Sequence, residues 1–186
     1  AISRVGKLEE VEILRSLDIA SDGIIIPHIE SKEDIDKCLE YIKYYPEGSR
    51  GYSPYTRAGG YCVCKNYTLN ANKNILFGII IESKKGIDNL DEILSNPKLD
   101  LVYLGAYDIS ISLGYPGQIN HPCVVEVLDK CIEKIKKAGK IIGAMYHSKD
   151  DYEKFNKQGV DFLVYKVDTL IINEGLSEIR AIKDRN

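Results

Sequence analysis

The chain has 186 residues, of which 44% are hydrophobic, so it can bury one sizeable core, and we predict a single domain over residues 1–186. The net charge is −3 and the charged residues are scattered, which offers no basic stripe to nucleic acid or to an acidic membrane surface. No apolar run approaches the roughly 18 residues of a membrane span, and no signal peptide opens the chain. We therefore expect a cytoplasmic protein without nucleic-acid or membrane partners.

Short β-branched runs alternate with amphipathic charged stretches, a pattern typical of βαβ units and a parallel sheet covered by helices. The predicted strands lie at residues 1–5, 22–27, 75–82, 100–105, 140–146 and 161–168. The predicted helices lie at residues 7–18, 32–44, 86–95, 121–138, 149–158 and 170–183. Between them, residues 45–74 show little periodicity, and a loop of that length usually has a function.

The pattern predicts the α/β class and a TIM-type β/α barrel, of which six strands are present. A closed barrel has eight strands, and its active site lies at their carboxyl ends. A six-strand sheet would leave apolar edges near Ile2 and Val164. We therefore expect either a homo-oligomer or an additional N-terminal segment that covers these edges.

The five cysteines include a Cys62-x-Cys64 pair, which could suggest zinc. Zinc sites usually show two such hooks or added histidines, and neither is nearby, so we do not expect a zinc site. The odd number of cysteines, two of them in predicted helices, disfavours a disulfide framework and fits a reducing compartment.

Two acidic residues follow buried apolar strands directly. Glu82 ends the run Ile79–Ile81, and Asp108 comes shortly after the strand at 100–105. Two carboxylates at neighbouring strand ends suit an oxygen-ligated Mg²⁺ or Mn²⁺. The alternative is that these are unrelated loop acids that stabilise helix starts.

Several strings around these acids occur in a recognisable order. They are DGIIIPHIES at 22–31, YPEGSRG at 45–51, RAGGY at 57–61, IIIES at 79–83, LGAYDISISLG at 104–114 and HP at 121–122. Together they resemble the HpcH/HpaI aldolase and citrate lyase β family, over residues 1–175. In that resemblance the first predicted strand, at residues 1–5, matches the third barrel strand, so the first two βα units of the barrel have no counterpart here.

The resemblance implies a metal-dependent aldolase that cleaves or forms a 4-hydroxy-2-oxo acid from pyruvate and an aldehyde. It implies that Glu82 and Asp108 bind the divalent cation, and that Arg4 acts as a catalytic residue that contacts the pyruvate oxygens. A cation and a guanidinium would both stabilise the charge that develops on the enolate oxygen. Backbone N–H groups of Gly105, Ala106, Tyr107 and Asp108 would bind the substrate carboxylate.

The chain departs from the family pattern at several positions. Ile80 replaces the usual glutamine two residues before the metal glutamate, Ala106 replaces a proline, and Tyr107 adds a phenol beside Asp108. The segment that carries the family's catalytic histidine has no counterpart. His28 and His147, both at carboxyl strand ends, could replace that base.

The remaining candidates have structural alternatives. His121 is interpreted as local structure at a helix start, and Arg50 as part of a turn with a salt bridge. Lys166 could form a Schiff base if burial lowered its pKa. At the level of the whole chain, two alternatives to a metal aldolase stay open: a binding or assembly homologue that has lost its base, and a citrate-lyase-like enzyme that cleaves a coenzyme A ester.

Overall fold

The computed structural model describes residues 1–183, so the last three residues of the predicted 1–186 domain lie outside it. Its six strands form one parallel sheet in sequential order, as predicted. They are β1 (Ile2–Arg4), β2 (Gly23–Ile26), β3 (Leu76–Ile81), β4 (Leu101–Leu104), β5 (Ile141–Tyr146) and β6 (Phe162–Tyr165). Within residues 1–183, β1 and β6 each pair with a single neighbour, so the sheet is a partial barrel and its closure is not seen.

Nine α-helices and one 3₁₀ turn, Gly60–Cys62, connect the strands of the described chain. The helices are α1 (Glu10–Asp18), α2 (Lys32–Ile42), α3 (Tyr67–Asn74), α4 (Lys84–Asp88), α5 (Leu90–Leu94), α6 (Ala106–Ser112), α7 (Pro122–Lys137), α8 (Lys149–Gln158) and α9 (Asp168–Lys183). Ser31 caps α2, because its side chain accepts from the Asp34 N–H while Asp34 accepts from the Ser31 N–H.

Four sequence predictions of secondary structure were wrong in detail. The single helix predicted at 86–95 is divided into α4 and α5 at Asn89, whose side chain donates to the Glu30 carbonyl oxygen. The irregular segment 45–74 ends in α3, whose weakly periodic sequence gave no helical signal. Helix α6 begins directly after β4 and was not predicted, and β6 stops at Tyr165, short of the predicted end at residue 168.

The two faces of the sheet carry different side chains because successive residues of a strand alternate between faces. One face packs under the helices and forms the main core, in which Ile24, Ile26, Phe77, Ile79 and Ile81 are fully buried. The other face carries a small second cluster. Its members are Ile25, Ile80 and Leu101, with Leu76, Tyr103, Ile141 and Phe162 packed against them. This second face is the inner face of the partial barrel, and its carboxyl end holds the candidate site.

Candidate active site

A cavity of about 190 Å³ opens at the carboxyl ends of the strands. Its lining residues are Arg4, Ile80, Glu82, Tyr103, Leu104, Gly105, Ala106, Tyr107, Asp108, Ile119, Met145 and His147. All six residues predicted for the site, Arg4, Glu82, Gly105, Ala106, Tyr107 and Asp108, are among them. A depression of about 600 Å³ lies beside Glu47, Asn96 and Lys98, but it is at the opposite edge, where the strands begin.

Strand alternation explains why distant residues meet here. Arg4 pairs in register with Ile25 of the inner face, and Glu82 follows Ile80 by two residues, so both lie on that face. Met145 lies on the same face of β5, two residues after Gly143, which pairs with Tyr103. The carboxyl ends of parallel strands lie at one edge, which brings these side chains around one cavity.

The Glu82 carboxylate is held from one side. It is 7% exposed, and its Oε1 accepts from the backbone N–H of His28 at 2.7 Å and lies 2.7 Å from His28 Nδ1. Its Oε2 receives no hydrogen bond from residues 1–183. Therefore Oε1 fixes the orientation of the carboxylate and Oε2 remains free for a ligand in the cavity.

The side chain of Glu82 leaves no room for a Cβ atom at position 105, which is glycine. A Cβ at Gly105 would lie 2.9 Å from the Glu82 Cβ, closer than real Cβ contacts, and 3.5 Å from Oε2. The absence of a side chain lets the end of β4 approach Glu82 closely.

The contact between His28 and Glu82 was not predicted from the sequence. From the sequence, His28 is a candidate to replace the missing base; in the structure, both its backbone N–H and its ring nitrogen contact Glu82. The backbone of His28 has φ 58°, a left-handed conformation that is uncommon for residues other than glycine. The available signal was its place directly after the strand-ending Pro27, next to the strand that ends at Glu82.

Asp108 lies in the first turn of α6 and is exposed toward the cavity. The family resemblance implies that four backbone N–H groups, from residues 105 to 108, bind a carboxylate. The structure corrects this for Gly105, because its N–H donates to the Ile81 carbonyl oxygen at 3.0 Å. The N–H groups of Ala106, Tyr107 and Asp108 belong to the first helical turn, which has no intrahelical acceptor for them.

Arg4 is exposed at the end of β1, and within residues 1–183 its guanidinium makes no hydrogen bond or ion pair. Arg50 differs in every respect. It is buried, its Nη2 donates to Asp18 Oδ1 at 2.9 Å, and its guanidinium lies 4.6 Å from the centre of the Tyr44 ring. The structural interpretation of Arg50 is confirmed, and Arg4 is the arginine that faces the cavity.

Two other candidates lie outside the cavity lining. Lys166 Nζ is 2.5 Å from Glu174 Oε2, and this hydrogen bond raises the pKa of the lysine, which opposes the neutral amine that a Schiff base requires. His121 caps α7 by accepting from the Cys123 N–H at 3.3 Å and stacks on Tyr115. The interpretation of His121 as local structure is confirmed.

The amino-acid sequence matches the family model described as HpcH/HpaI aldolase/citrate lyase over residues 1–173. The chain belongs to this family. It is 32% identical over 171 residues to the 2-keto-3-deoxy-L-rhamnonate aldolase of Escherichia coli strain K12, an alignment that covers 91% of this chain and 64% of that protein. The chain thus spans slightly less than two thirds of the length of the curated relatives it matches.

Solved structures share the fold of this chain. A family protein from Burkholderia cenocepacia J2315 has a TM-score of 0.90 at 22% identity, covering 98% of this chain and 73% of that one. The citrate synthase SbnG has a TM-score of 0.84 at 27% identity, covering 99% of this chain and 72% of that one. The names of these relatives include both an aldolase and a synthase, so family membership alone leaves the reaction of this chain open.

The donor set of the cavity fits the divalent cation expected for the family. Within residues 1–183, no group of three or more His, Cys, Asp or Glu side chains is placed to hold a metal. Two carboxylates, Glu82 and Asp108, line the cavity, and Glu82 Oε2 is free. Mg²⁺ commonly binds one or two carboxylates and fills its other positions with substrate oxygens and water, so two acids beside a substrate cavity are a suitable set.

The inner wall beside these acids is apolar. Ile80 is 8% exposed and packs with Ile25 and Leu101, at the position where the family usually carries glutamine. Tyr103 packs against the same cluster and also lines the cavity. An apolar wall excludes water and strengthens electrostatic interactions inside the cavity.

In the part of the chain that the structure describes, no helix is long and apolar enough to span a membrane.

Proposed function

We propose that this chain belongs to a divalent-metal-dependent aldolase that cleaves or forms a 4-hydroxy-2-oxo acid, with pyruvate as one partner and an aldehyde as the other. The observation that supports this most is the state of Glu82. One carboxylate oxygen is fixed by His28, the other is free, and Asp108 and the unpaired Arg4 line the same small cavity.

Each residue has a defined task in this proposal. Glu82 and Asp108 would hold a Mg²⁺ or Mn²⁺ ion, which as a Lewis acid would stabilise negative charge on a 2-oxo oxygen. Arg4 would bind the oxygens of pyruvate and add a second positive charge beside the enolate. The N–H groups of Ala106, Tyr107 and Asp108 would bind the pyruvate carboxylate at the start of α6.

The cavity size supports a small substrate. Pockets for drug-sized ligands measure roughly 300–1,000 Å³, and this cavity is about 190 Å³. A three-carbon 2-oxo acid with a short aldehyde suits this space. A coenzyme A ester would require a long extension beyond it, and we do not favour the citrate-lyase-like alternative.

Hydrogen–deuterium exchange at the pyruvate methyl group tests the proposal, because it reports enolate formation without any aldehyde. We expect exchange with Mg²⁺ or Mn²⁺, loss of exchange in EDTA, and recovery when metal is restored. If pyruvate and metal bind without exchange above background, the chain is a binding homologue that lacks a base. Full activity after chelation would exclude a metal mechanism.

We also propose that the working enzyme is an assembly. The outer edges of β1 and β6 have no strand partner within residues 1–183, and α9 exposes Ile172, Leu176 and Ile179. Open edges and apolar surface favour association with a second chain. Light scattering after size exclusion should give a mass that is a multiple of the 20.9 kDa chain, and a monomeric mass would contradict assembly.

A further inference from the structure

The five cysteines of the chain lie in two different environments. Cys38 and Cys131 are buried in the core, where burial raises the pKa of both thiols, to about 11 for Cys131, and so disfavours the reactive thiolate. Cys62, Cys64 and Cys123 are exposed. Cys123 lies at the start of α7, whereas Cys62 and Cys64 are separated by a single residue and lie outside the candidate active site. The proposed function does not use this pair.

The backbone around the pair is held in a defined turn. The Cys62 N–H donates to the Pro54 carbonyl oxygen at 2.8 Å. One residue later, the Val63 N–H donates to the Gly60 carbonyl oxygen at 3.2 Å. Tyr61 and Cys62 have φ 53° and 75°, left-handed values that are uncommon for residues other than glycine. Residues held in such conformations are concentrated at functional sites.

This turn sets the separation of the two cysteines. Val63, the residue between them, has φ −98° and ψ −15°, in the right-handed helical region. In an α-helix, Cα atoms two residues apart are separated by about 5.4 Å, as follows from the helix radius and rise. Disulfides join residues whose Cα atoms are about 4.4–6.8 Å apart. The Cα atoms of Cys62 and Cys64 are therefore within the range that a disulfide bond requires.

Gly60 leaves room for one of the two thiols. A Cβ atom at residue 60 would collide with Cys64 Sγ, so the thiol packs directly on the glycine backbone. Gly60 also has φ 61°, which independently favours glycine. The Cys64 side chain is thus held against the same turn that contains Cys62, and is not directed away from it.

The charge of the surrounding segment is basic. Residues 48–81 contain no Asp or Glu. Arg57 and Lys65, which flank the pair in the sequence, are both exposed. Positive charge on a surface raises the local concentration of anions, so this segment suits a small disulfide that carries carboxylates.

We propose that Cys62 and Cys64 form a redox-active dithiol, which exchanges with small anionic disulfides and closes to an intramolecular disulfide. The thiolate of one cysteine attacks the small disulfide, forms a mixed disulfide and releases one small thiol. The thiolate of the other cysteine then attacks the cysteine sulfur of the mixed disulfide and releases the second small thiol. The two cysteines lose two protons and two electrons, which the small disulfide takes up. This inference is independent of the proposed aldolase function.

The test treats the folded full chain with oxidised glutathione, alkylates the remaining thiols with iodoacetamide, and identifies the tryptic peptide of residues 58–65, which contains both cysteines. We expect this peptide to lose two hydrogens and to resist alkylation, and dithiothreitol to restore two alkylatable thiols. Cys62→Ser and Cys64→Ser should each carry one glutathione on the remaining cysteine, because no second thiol resolves the mixed disulfide. Cys123→Ser, at an exposed cysteine of α7, is the matched control and should leave closure unchanged.

A second measurement tests the contribution of the folded turn. The equilibrium constant for closure is measured in a series of glutathione redox buffers, for the native chain and for the chain unfolded in urea. We expect closure to be at least about tenfold more favourable in the native chain, because the turn keeps the two cysteines close together. Glutathione on both cysteines, disulfides between chains, absence of reaction at the pair, or equal closure in urea would each overturn the inference.

Discussion

Polar side chains are hydrogen-bonded differently at the two edges of the sheet: the amino edge, where the strands begin, and the carboxyl edge, where they end. At the amino edge, Lys43, Arg50 and Asn72 are buried, and each bonds to protein: Lys43 Nζ donates to the Asn72 carbonyl oxygen at 2.6 Å, and Asn72 bonds both the N–H and the carbonyl of Tyr44. At the carboxyl edge, Arg4 and Asp108 have no such partner within residues 1–183.

This difference distinguishes polar side chains that stabilise the fold from polar side chains that are available to bind a ligand. Buried polar groups are costly unless hydrogen-bonded. At the amino edge the fold supplies partners to Lys43 and Asn72, and Arg50 has an ion pair through Nη2, although its Nε and Nη1 have no hydrogen-bond partner. At the carboxyl edge the fold fixes one oxygen of Glu82 and leaves the other free. Polar groups left unpaired around one cavity indicate a ligand, and the following experiments test this contrast.

The largest expected effect is that of Glu82→Gln on catalysis. The amide keeps an oxygen that His28 can contact but lacks the negative charge that would bind the cation, so we expect metal-dependent pyruvate exchange to fall about 10³-fold. The free energy of unfolding should change by less than about 1 kcal/mol. Glu92→Gln, at an exposed glutamate of α5, is the matched control and should leave exchange unchanged. Equal exchange in both variants would remove Glu82 from the metal site.

The next experiment replaces one arginine at each edge by methionine. Arg4→Met should reduce pyruvate exchange about 10²-fold and change unfolding free energy by less than about 0.5 kcal/mol. Arg50→Met should lower the unfolding free energy by about 2–3 kcal/mol, because Asp18 loses its buried partner. Urea unfolding and exchange, measured on both variants, check this; similar stability losses in both would contradict the contrast between the edges.

The strand pattern predicted the sheet and the two acids near strand ends, whereas Arg4 and the residues from Gly105 to Tyr107 were assigned through the family resemblance. Buried parallel strands are continuous apolar runs, so their ends are visible, and Glu82 stands at such an end. The link between His28 and Glu82 was not predictable, because the residues are 54 positions apart and meet only when β2 and β3 pair. Helix α3 was missed because tertiary hydrogen bonds at Asn72 hold it in place of an apolar stripe.

The third experiment addresses that hydrogen-bonded asparagine. Asn72→Ala leaves the Tyr44 N–H and carbonyl oxygen without partners in a buried region, so we expect a loss of about 2–3 kcal/mol in unfolding free energy. Asn70→Ala, at an exposed position of the same helix, should change it by less than about 0.5 kcal/mol. Denaturant titration of both variants separates the burial effect from helix propensity, and comparable losses would argue against a structural role for Asn72.

The smallest effect concerns Glu30, which links the loop after β2 to the residue after Glu82. Its Oε1 accepts from the Ser83 hydroxyl at 2.7 Å, and this hydrogen bond, with Lys85 nearby, holds the pKa of Glu30 below its usual value. The unfolded chain therefore takes up the proton first as pH falls. The stability that Glu30 provides is present above about pH 4.5 and is lost as pH falls through the lower folded pKa.

Glu30→Gln should thus lower the unfolding free energy at pH 7 by less than about 1 kcal/mol, since Glu30 is partly exposed, and the difference from wild type should shrink as the pH falls below 4.5. Urea titrations at several pH values measure this difference directly. Glu33 is also depressed in pKa but is fully solvated and does not contact Ser83, so Glu33→Gln controls for the general loss of one charge. A difference that grows toward low pH would show that the Ser83 contact does not favour the ionised form.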